Sequence, residues 1–136
     1  MMPHREKISV NALDHVTLIC ADLEATRQFY VELLGMTEVP RPAFDFPGLW
    51  FQVGNVQIHA TQSSPEAGQP GWGDRSVKRI SRGHHIAFGV DDVVQALAVL
   101  QAKNVPIASP LQKRPDGLQQ VYLYDPDGHV VELFSR

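Results

Sequence analysis

The sequence contains a single cysteine, Cys20, so an intramolecular disulfide is excluded. A chain without disulfides is typical of a reduced compartment, and we expect a cytoplasmic protein. No segment approaches the roughly 18 consecutive apolar residues of a membrane-spanning helix. No apolar run follows the basic residues near the N-terminus, so a secretory signal is not predicted. The formal net charge of -3 disfavours a general nucleic-acid-binding protein.

An internal repeat of short apolar segments is the most informative feature of the chain. The segment that begins at His15 is echoed by a second segment that begins at His85. Each copy has the pattern of a strand, a helix and three further strands. The copies cover about 13–61 and 84–134, and a long connection, 62–83, joins them. We therefore expect a single domain, 1–136, built from two similar modules.

Capping and turn residues mark the ends of the predicted helices. Asp22 is suited to begin the first helix and Gly35 to end it. Asp91 or Asp92 is suited to begin the second helix. Asn104 can end that helix in a left-handed conformation. The two helices are therefore expected at equivalent places in the two modules.

The strands that follow each helix are marked by turn signals. Gly54-Asn55 predicts a hairpin in the first module. In the second module, a short strand is expected at Val105–Ala108. The turn Asp125-Pro126-Asp127-Gly128 then joins strands at Gln119–Tyr124 and His129–Phe134. Each module is thus expected to end in a hairpin.

Alternation along the strands separates an apolar face from a mixed face. In the first strand, Val16, Leu18 and Cys20 share the apolar face. The mixed faces of four strands carry one metal-ligand type of side chain each: His15, His59, His85 and Glu132. This pattern predicts an α+β fold in which a curved mixed sheet has helices outside and a polar cup inside.

The four side chains in the cup point to metal chemistry. Imidazole nitrogens and carboxylate oxygens are the usual ligands of first-row divalent ions, so a site for one Zn, Ni, Co, Mn or Fe ion is predicted. Two histidines with one carboxylate would alternatively give the facial arrangement of non-haem iron. Open positions would let neighbouring oxygens of a small-molecule substrate bind, with Glu132 as the catalytic base. His84 is predicted to point to the opposite face, and His129, in a turn, is assigned no role.

Five further residues are predicted to contact the substrate: Trp50, Gln57, Tyr122, Phe134 and Arg114. Phe134 shares the strand face of Glu132, and Trp50 is an aromatic side chain that can line the cup. Gln57 and Tyr122 offer hydrogen bonds. Arg114 offers a bidentate donor for an anionic group.

Four segments of the chain resemble the vicinal oxygen chelate superfamily, which includes glyoxalase I, fosfomycin-resistance thiol transferases, bleomycin-resistance proteins, methylmalonyl-CoA epimerase and extradiol dioxygenases. They are Leu13-Asp14-His15-Val16-Thr17-Leu18, Phe29-Tyr30-Val31-Glu32-Leu33-Leu34-Gly35-Met36, His85-Ile86-Ala87-Phe88 and Tyr124-Asp125-Pro126-Asp127-Gly128-His129-Val130-Val131-Glu132-Leu133. The resemblance implies paired βαβββ modules and a metal held by His15, His85 and Glu132. It also implies His59 as a fourth ligand, and a homodimer in which two chains exchange modules.

The resemblance further implies a lyase or isomerase of the glyoxalase-like branch, whose substrate, such as a thiol adduct, binds the metal through neighbouring oxygens. Bacterial glyoxalase I carries a glutamate where His59 stands, so Glu132 is the carboxylate base that remains here. Fosfomycin enzymes also need a cationic cluster, for which Arg41, Lys113 and Arg114 are the candidates. The alternatives are an extradiol-type Fe(II) dioxygenase and a non-catalytic small-molecule-binding protein of the bleomycin-resistance type.

Overall fold

The computed structural model describes residues 6–72 and 79–136. The first module contains β1 (His15–Cys20), α1 (Leu23–Arg27) with a π-helical continuation (Gln28–Leu33), β2 (Thr37–Val39), β3 (Gly48–Val53) and β4 (Val56–Gln62). The second contains a 3-10 turn (Ile80–Arg82), β5 (Ile86–Gly89), α2 (Val93–Ala102), β6 (Ile107–Lys113), β7 (Gln119–Tyr124) and β8 (Val130–Ser135). The repeated order of strand, helix and three strands is as expected.

The strands form two four-stranded sheets with the same topology. Their orders are β1-β4-β3-β2 and β5-β8-β7-β6. The first strand of each sheet is parallel to the last, and the remaining pairings are antiparallel. The predicted α+β class with two βαβββ units is confirmed, and β1 and β5 each lie at the edge of a sheet.

The helix ends follow the capping residues. The Asp22 carboxylate accepts hydrogen bonds from the backbone N–H groups of Glu24 and Ala25. Asp92 does the same for α2, which shows that it, and not Asp91, begins this helix. Asn104 has a φ of 56°, the left-handed conformation expected after the helix. These caps fix where each chain segment leaves its helix and enters the next strand.

One strand differs in extent from its prediction. The strand expected at Val105–Ala108 is observed at Ile107–Lys113. It contains Pro110 and shows two register shifts against β7. A proline and bulges are tolerated because β6 lies at the edge of its sheet, where one side needs no ladder hydrogen bonds.

The core lies between the helices and the apolar faces of the sheets. Leu18 and Cys20 of β1 are fully buried, together with Phe51 and Ile58 of the neighbouring strands. Burial raises the pKa of the Cys20 thiol to about 11, so this residue packs as a neutral group. Among the described residues, no helix combines the length and the apolar character needed to cross a membrane.

Candidate metal centre

The first pair of predicted ligands, His15 and His59, lies on the neighbouring strands β1 and β4. In the parallel register His15 is opposite Gln57 and Thr17 is opposite His59. The two imidazole rings stack with their centroids 4.0 Å apart and an angle of 14° between the planes. The ring of Trp50 on β3 stacks on His59 at 4.1 Å and 4°. The three rings thus form one stack, in which Trp50 covers the side of His59 that faces away from His15.

Hydrogen bonds orient both rings of this pair. His15 Nδ1 lies 2.7 Å from the Asp14 carboxylate, and His59 Nε2 lies 2.8 Å from Gln57 Oε1. Because these oxygens accept, the named nitrogens carry the protons and the other ring nitrogens keep their lone pairs. Gln57 is held in turn by its amide bond to Gln52 Oε1, at 2.9 Å. Such outer contacts are typical of histidines that ligate metals.

The charge state of His59 is shifted toward neutrality. Burial lowers its pKa, and the neighbouring His15 and the charge of Arg41 act in the same direction. Asp14 opposes the shift but does not reverse it. A neutral imidazole is the form that binds a metal.

The second pair, His85 and Glu132, lies at β5 and β8. His85 Nε2 is 3.2 Å from Glu132 Oε1, and His85 Nδ1 is 2.9 Å from the Gly83 carbonyl oxygen. Both ring nitrogens therefore face oxygen acceptors. A neutral imidazole carries one N–H, so the second contact requires either a further proton or a cation.

Tyr122 completes the surroundings of Glu132. Its hydroxyl donates a hydrogen bond to Glu132 Oε1 over 2.7 Å, and its ring meets the His85 ring edge-on at 5.4 Å. Burial raises the pKa of Tyr122 above its usual range, and the Glu132 carboxylate adds to this effect. The phenol therefore stays protonated and remains a donor to the carboxylate, whose side chain is only 6% exposed.

The two pairs belong to different sheets of the chain. Among residues 6–72 and 79–136, one group of at least three potential ligand atoms lies within 4.8 Å, and it consists of Asp125, Asp127 and His129. Within one chain, the four predicted ligands therefore form two separate pairs, His15 with His59 and His85 with Glu132. Whether they hold one metal stays a prediction.

The Asp125 group is a buried hydrogen-bond network that sequence reasoning missed. Asp125 Oδ1 accepts the backbone N–H groups of Asp127 and His129, each at 2.9 Å. Its Oδ2 accepts the hydroxyl of Tyr30 at 2.8 Å and His129 Nδ1–H at 2.7 Å. The aspartate at the start of the turn could have signalled the local bonds, but Tyr30 belongs to the other module.

Further contacts show that this network joins the modules. Asp127 Oδ1 accepts the backbone N–H of Ala21 at 3.0 Å, and Trp72 meets the His129 ring edge-on at 5.0 Å. Asp127 Oδ2 is buried without a hydrogen-bond partner among the described residues. Since all four contacts of Asp125 are hydrogen bonds to protein donors, we interpret the group as structural. His129, assigned no role from the sequence, is thus part of the link between modules.

Three of the predicted substrate contacts, Trp50, Gln57 and Tyr122, touch the predicted ligands as described above. Phe134 packs over Gly89, where a ring atom lies 3.3 Å from the place that a Cβ would take. Arg114 lies in the exposed turn after β6 and forms an ion pair with Asp116 at 2.6 Å. Its role as a substrate contact stays a prediction.

A cavity of about 700 Å³ opens on the first module. Thr61, which lines it, follows His59 by two residues and so shares its strand face. Its other walls come from the loop before β3, with Asp45 and Phe46, and from residues 63–67 of the long connection. The sequence offered no signal for this cavity, because its walls are loops that meet only in the fold.

Comparison with known proteins agrees with this architecture. The sequence model of the Glyoxalase/Bleomycin resistance protein/Dioxygenase superfamily matches residues 12–133. The chain therefore belongs to this superfamily, as the resemblance implied. Members of the superfamily bind small molecules and commonly a divalent metal.

Individual relatives are distant. Glyoxylase I 4 of Arabidopsis thaliana is 24% identical, over 93% of this chain and 71% of the relative. The crystal structure of the fosfomycin resistance protein FosX from Listeria monocytogenes gives a TM-score of 0.70 at 23% identity, covering 94% of this chain and 95% of that one. Lactoylglutathione lyase from Agrobacterium tumefaciens gives 0.66 at 20% identity, covering 92% and 93%. At such identities the solved structures establish the fold alone.

Proposed function

We propose that the chain is a glyoxalase-like, metal-dependent enzyme of the lyase or isomerase type. Its substrate is a small molecule, such as a thiol adduct, that presents two neighbouring oxygens to one divalent ion. The proposed ligands are His15, His59, His85 and Glu132, and Glu132 also moves the proton. The proposal includes the cytoplasm as the location of this activity.

The observation that carries the proposal is the geometry of His85. Its Nδ1–H donates a hydrogen bond to the Gly83 carbonyl oxygen, and its Nε2 lies 3.2 Å from Glu132 Oε1. A nitrogen lone pair and a carboxylate at this distance repel each other unless a second proton on the ring or a cation beside the pair offsets the repulsion, and a divalent ion bound to both groups does so. The donor set of imidazole and carboxylate fits Zn, Ni, Co, Mn or Fe.

Two copies of the chain are proposed to build each centre. His15 and His59 occupy one sheet and His85 and Glu132 the other, and β1 and β5 are edge strands. A symmetric dimer repeats each contact twice. It would therefore bring the first pair of one copy to the second pair of the other and form two equal centres.

The chain's own residues have distinct tasks at this centre. A bound divalent ion would act as a Lewis acid toward the substrate oxygens. Glu132 accepts a proton from the carbon beside the carbonyl, while Tyr122 holds its Oε1 by the 2.7 Å hydrogen bond. Trp50 and Gln57 keep His59 in place through stacking and hydrogen bonding. Burial around Glu132 limits the water that competes for the proton.

Elemental analysis of protein purified without chelator tests the proposal, and about one divalent ion per chain is expected. The metal-loaded protein is then incubated with hydroxyacetone in D2O, and deuterium beside the carbonyl is followed by NMR. Deuterium incorporation that requires both the metal and Glu132 supports the proposed enzyme. A protein that neither contains nor takes up metal would instead be the binding protein of the alternative hypothesis.

Mixing two inactive variants is expected to restore metal sites. Chains with His15→Ala and chains with Glu132→Gln each lack one ligand per centre. In a mixed dimer, one centre lacks both ligands and the other is complete. Unfolding and refolding the variants together should therefore restore about a quarter of the wild-type metal content, because half of the random dimers are mixed. Metal content that stays at the level of the separate variants would place each centre within one chain.

His59→Gln is expected to weaken metal binding by at least ~10-fold, because even the loss of an outer contact typically costs that much, but not to abolish it, since three ligands remain. The affinity is measured by competition with a chromogenic chelator. His84→Gln serves as the matched control, because His84 is exposed. An unchanged affinity in His59→Gln would remove His59 from the ligand set.

A further inference from the structure

Arg41 lies in an aromatic setting beside the candidate metal centre. Its guanidinium carbon is 4.8 Å from the ring centroid of Phe44 and 4.7 Å from that of Phe46. Its Nη2 donates a hydrogen bond to the Phe46 carbonyl oxygen at 2.9 Å. These contacts hold the plane of the guanidinium in one orientation.

The same face of the sheet carries both Arg41 and the first ligand pair. A Cβ built on Gly48 would lie 2.9 Å from Arg41 Nε and Nη2. Gly48 and Trp50 are two residues apart on β3 and so share a face, and Trp50 stacks on His59. Phe44 is 6.2 Å from Trp50 between the ring centroids. The planar groups thus form a continuous wall from the imidazoles to the guanidinium.

The charge of Arg41 is not matched within this wall. In the part of the chain that the structure describes, no carboxylate forms an ion pair with Arg41. Phe44 and Phe46 are 48% and 44% exposed, so both rings can still be covered by another molecule.

We propose that Arg41, Phe44 and Phe46 form a substrate subsite that binds a carboxylate attached to a planar, unsaturated group. The guanidinium supplies N–H donors for the carboxylate, and the two rings supply the stacking surface. The planar fork of the guanidinium matches the plane of a carboxylate. This subsite rests on the proposed function and names the class of its substrate, an anionic planar compound.

The test compares 2-naphthoate with 2-naphthamide, which share size and ring system but differ in charge. Dissociation constants are measured calorimetrically on the wild type, Arg41→Gln and Arg41→Lys. We expect the wild type to bind 2-naphthoate at least ~10-fold more tightly than the amide. Arg41→Gln should lose this preference, and Arg41→Lys should keep part of it, since the charge remains but the planar fork is lost. Lys103→Gln, an equal change of charge at an exposed residue in the other module, should keep all of it.

Equal affinities of the wild type for the two compounds would overturn the subsite, as would no binding of 2-naphthoate at millimolar concentration or an unchanged preference in Arg41→Gln. The titrations are repeated after chelator treatment, because naphthoate can also bind a metal. Metal content is measured for each variant and should be unaffected by Arg41→Gln. If the protein prefers naphthoate but binds no metal, only the proposed function is contradicted. If it binds metal but does not prefer naphthoate, only the subsite is contradicted.

Discussion

Glu132→Gln is expected to lower the affinity for the divalent ion by at least ~100-fold, because even the loss of an outer contact to a metal ligand typically costs 10- to 100-fold. The fold should persist. Glutamine has the same shape, and its amide oxygen can still accept the hydrogen bond from Tyr122. Metal content after dialysis and thermal unfolding of the metal-free protein check both statements, with the free energy of unfolding expected to change by no more than about 1 kcal/mol.

Two control variants make this result specific. His84→Gln should leave the metal content unchanged, since His84 is exposed and lies one residue from the proposed ligand His85. Asp127→Asn should also leave it unchanged if the Asp125 group is structural. The assignment of the site fails if Glu132→Gln retains as much metal as the wild type. Loss of metal in Asp127→Asn alone would transfer the site to the Asp125 group.

Asp125→Ala is expected to destabilise the protein by about 3–5 kcal/mol. The side chains of Asp125 and His129 are both 1% exposed, and the substitution leaves several buried donors without an acceptor, at about 1–3 kcal/mol each. Asp91→Ala, at an exposed aspartate, should change stability by less than about 0.5 kcal/mol. Denaturant unfolding at one fixed protein concentration measures both variants.

A double-mutant cycle separates the link between the modules from local effects of the turn. Tyr30→Phe alone removes the hydroxyl that donates to Asp125 and should cost about 1–2 kcal/mol. In the Asp125→Ala background the same change should cost nearly nothing, because its partner is already gone. Additive costs, or a cost of Asp125→Ala no larger than that of Asp91→Ala, would contradict the proposed link.

Sequence reasoning was most successful where local chemistry decides the structure. The sequence predicts Asp91 or Asp92 at the start of α2 and Asn104 after its end, and Asp92 and Asn104 are found there, because capping and left-handed φ angles depend on few neighbouring atoms. The repeat likewise follows from apolar spacing, and it led to the two sheets with identical strand order. The faces that His15 and His59 occupy follow from alternation, and the pairing of β1 with β4 then brings their rings together.

Contacts between segments far apart in the chain could not be predicted from the sequence. The hydrogen bond from Tyr30 to Asp125 joins residues in different modules, and no local pattern encodes it. Similarly, Arg41 was a candidate cation without a defined partner, and only the fold places it against Phe44 and Phe46. That the four predicted ligands form two separate pairs also depends on how the sheets are arranged, which strand periodicity does not determine.

Both tryptophans of the chain contact a histidine, and this gives the protein a built-in optical readout. Trp50 stacks on His59 in the candidate metal centre, and Trp72 meets His129 in the network that links the modules. Indole emission responds to the charge of a ring in contact with it. Intrinsic fluorescence therefore reports on two places at once. Replacing Trp72 with phenylalanine leaves an emission signal that reports on the imidazole next to Trp50, without any added label.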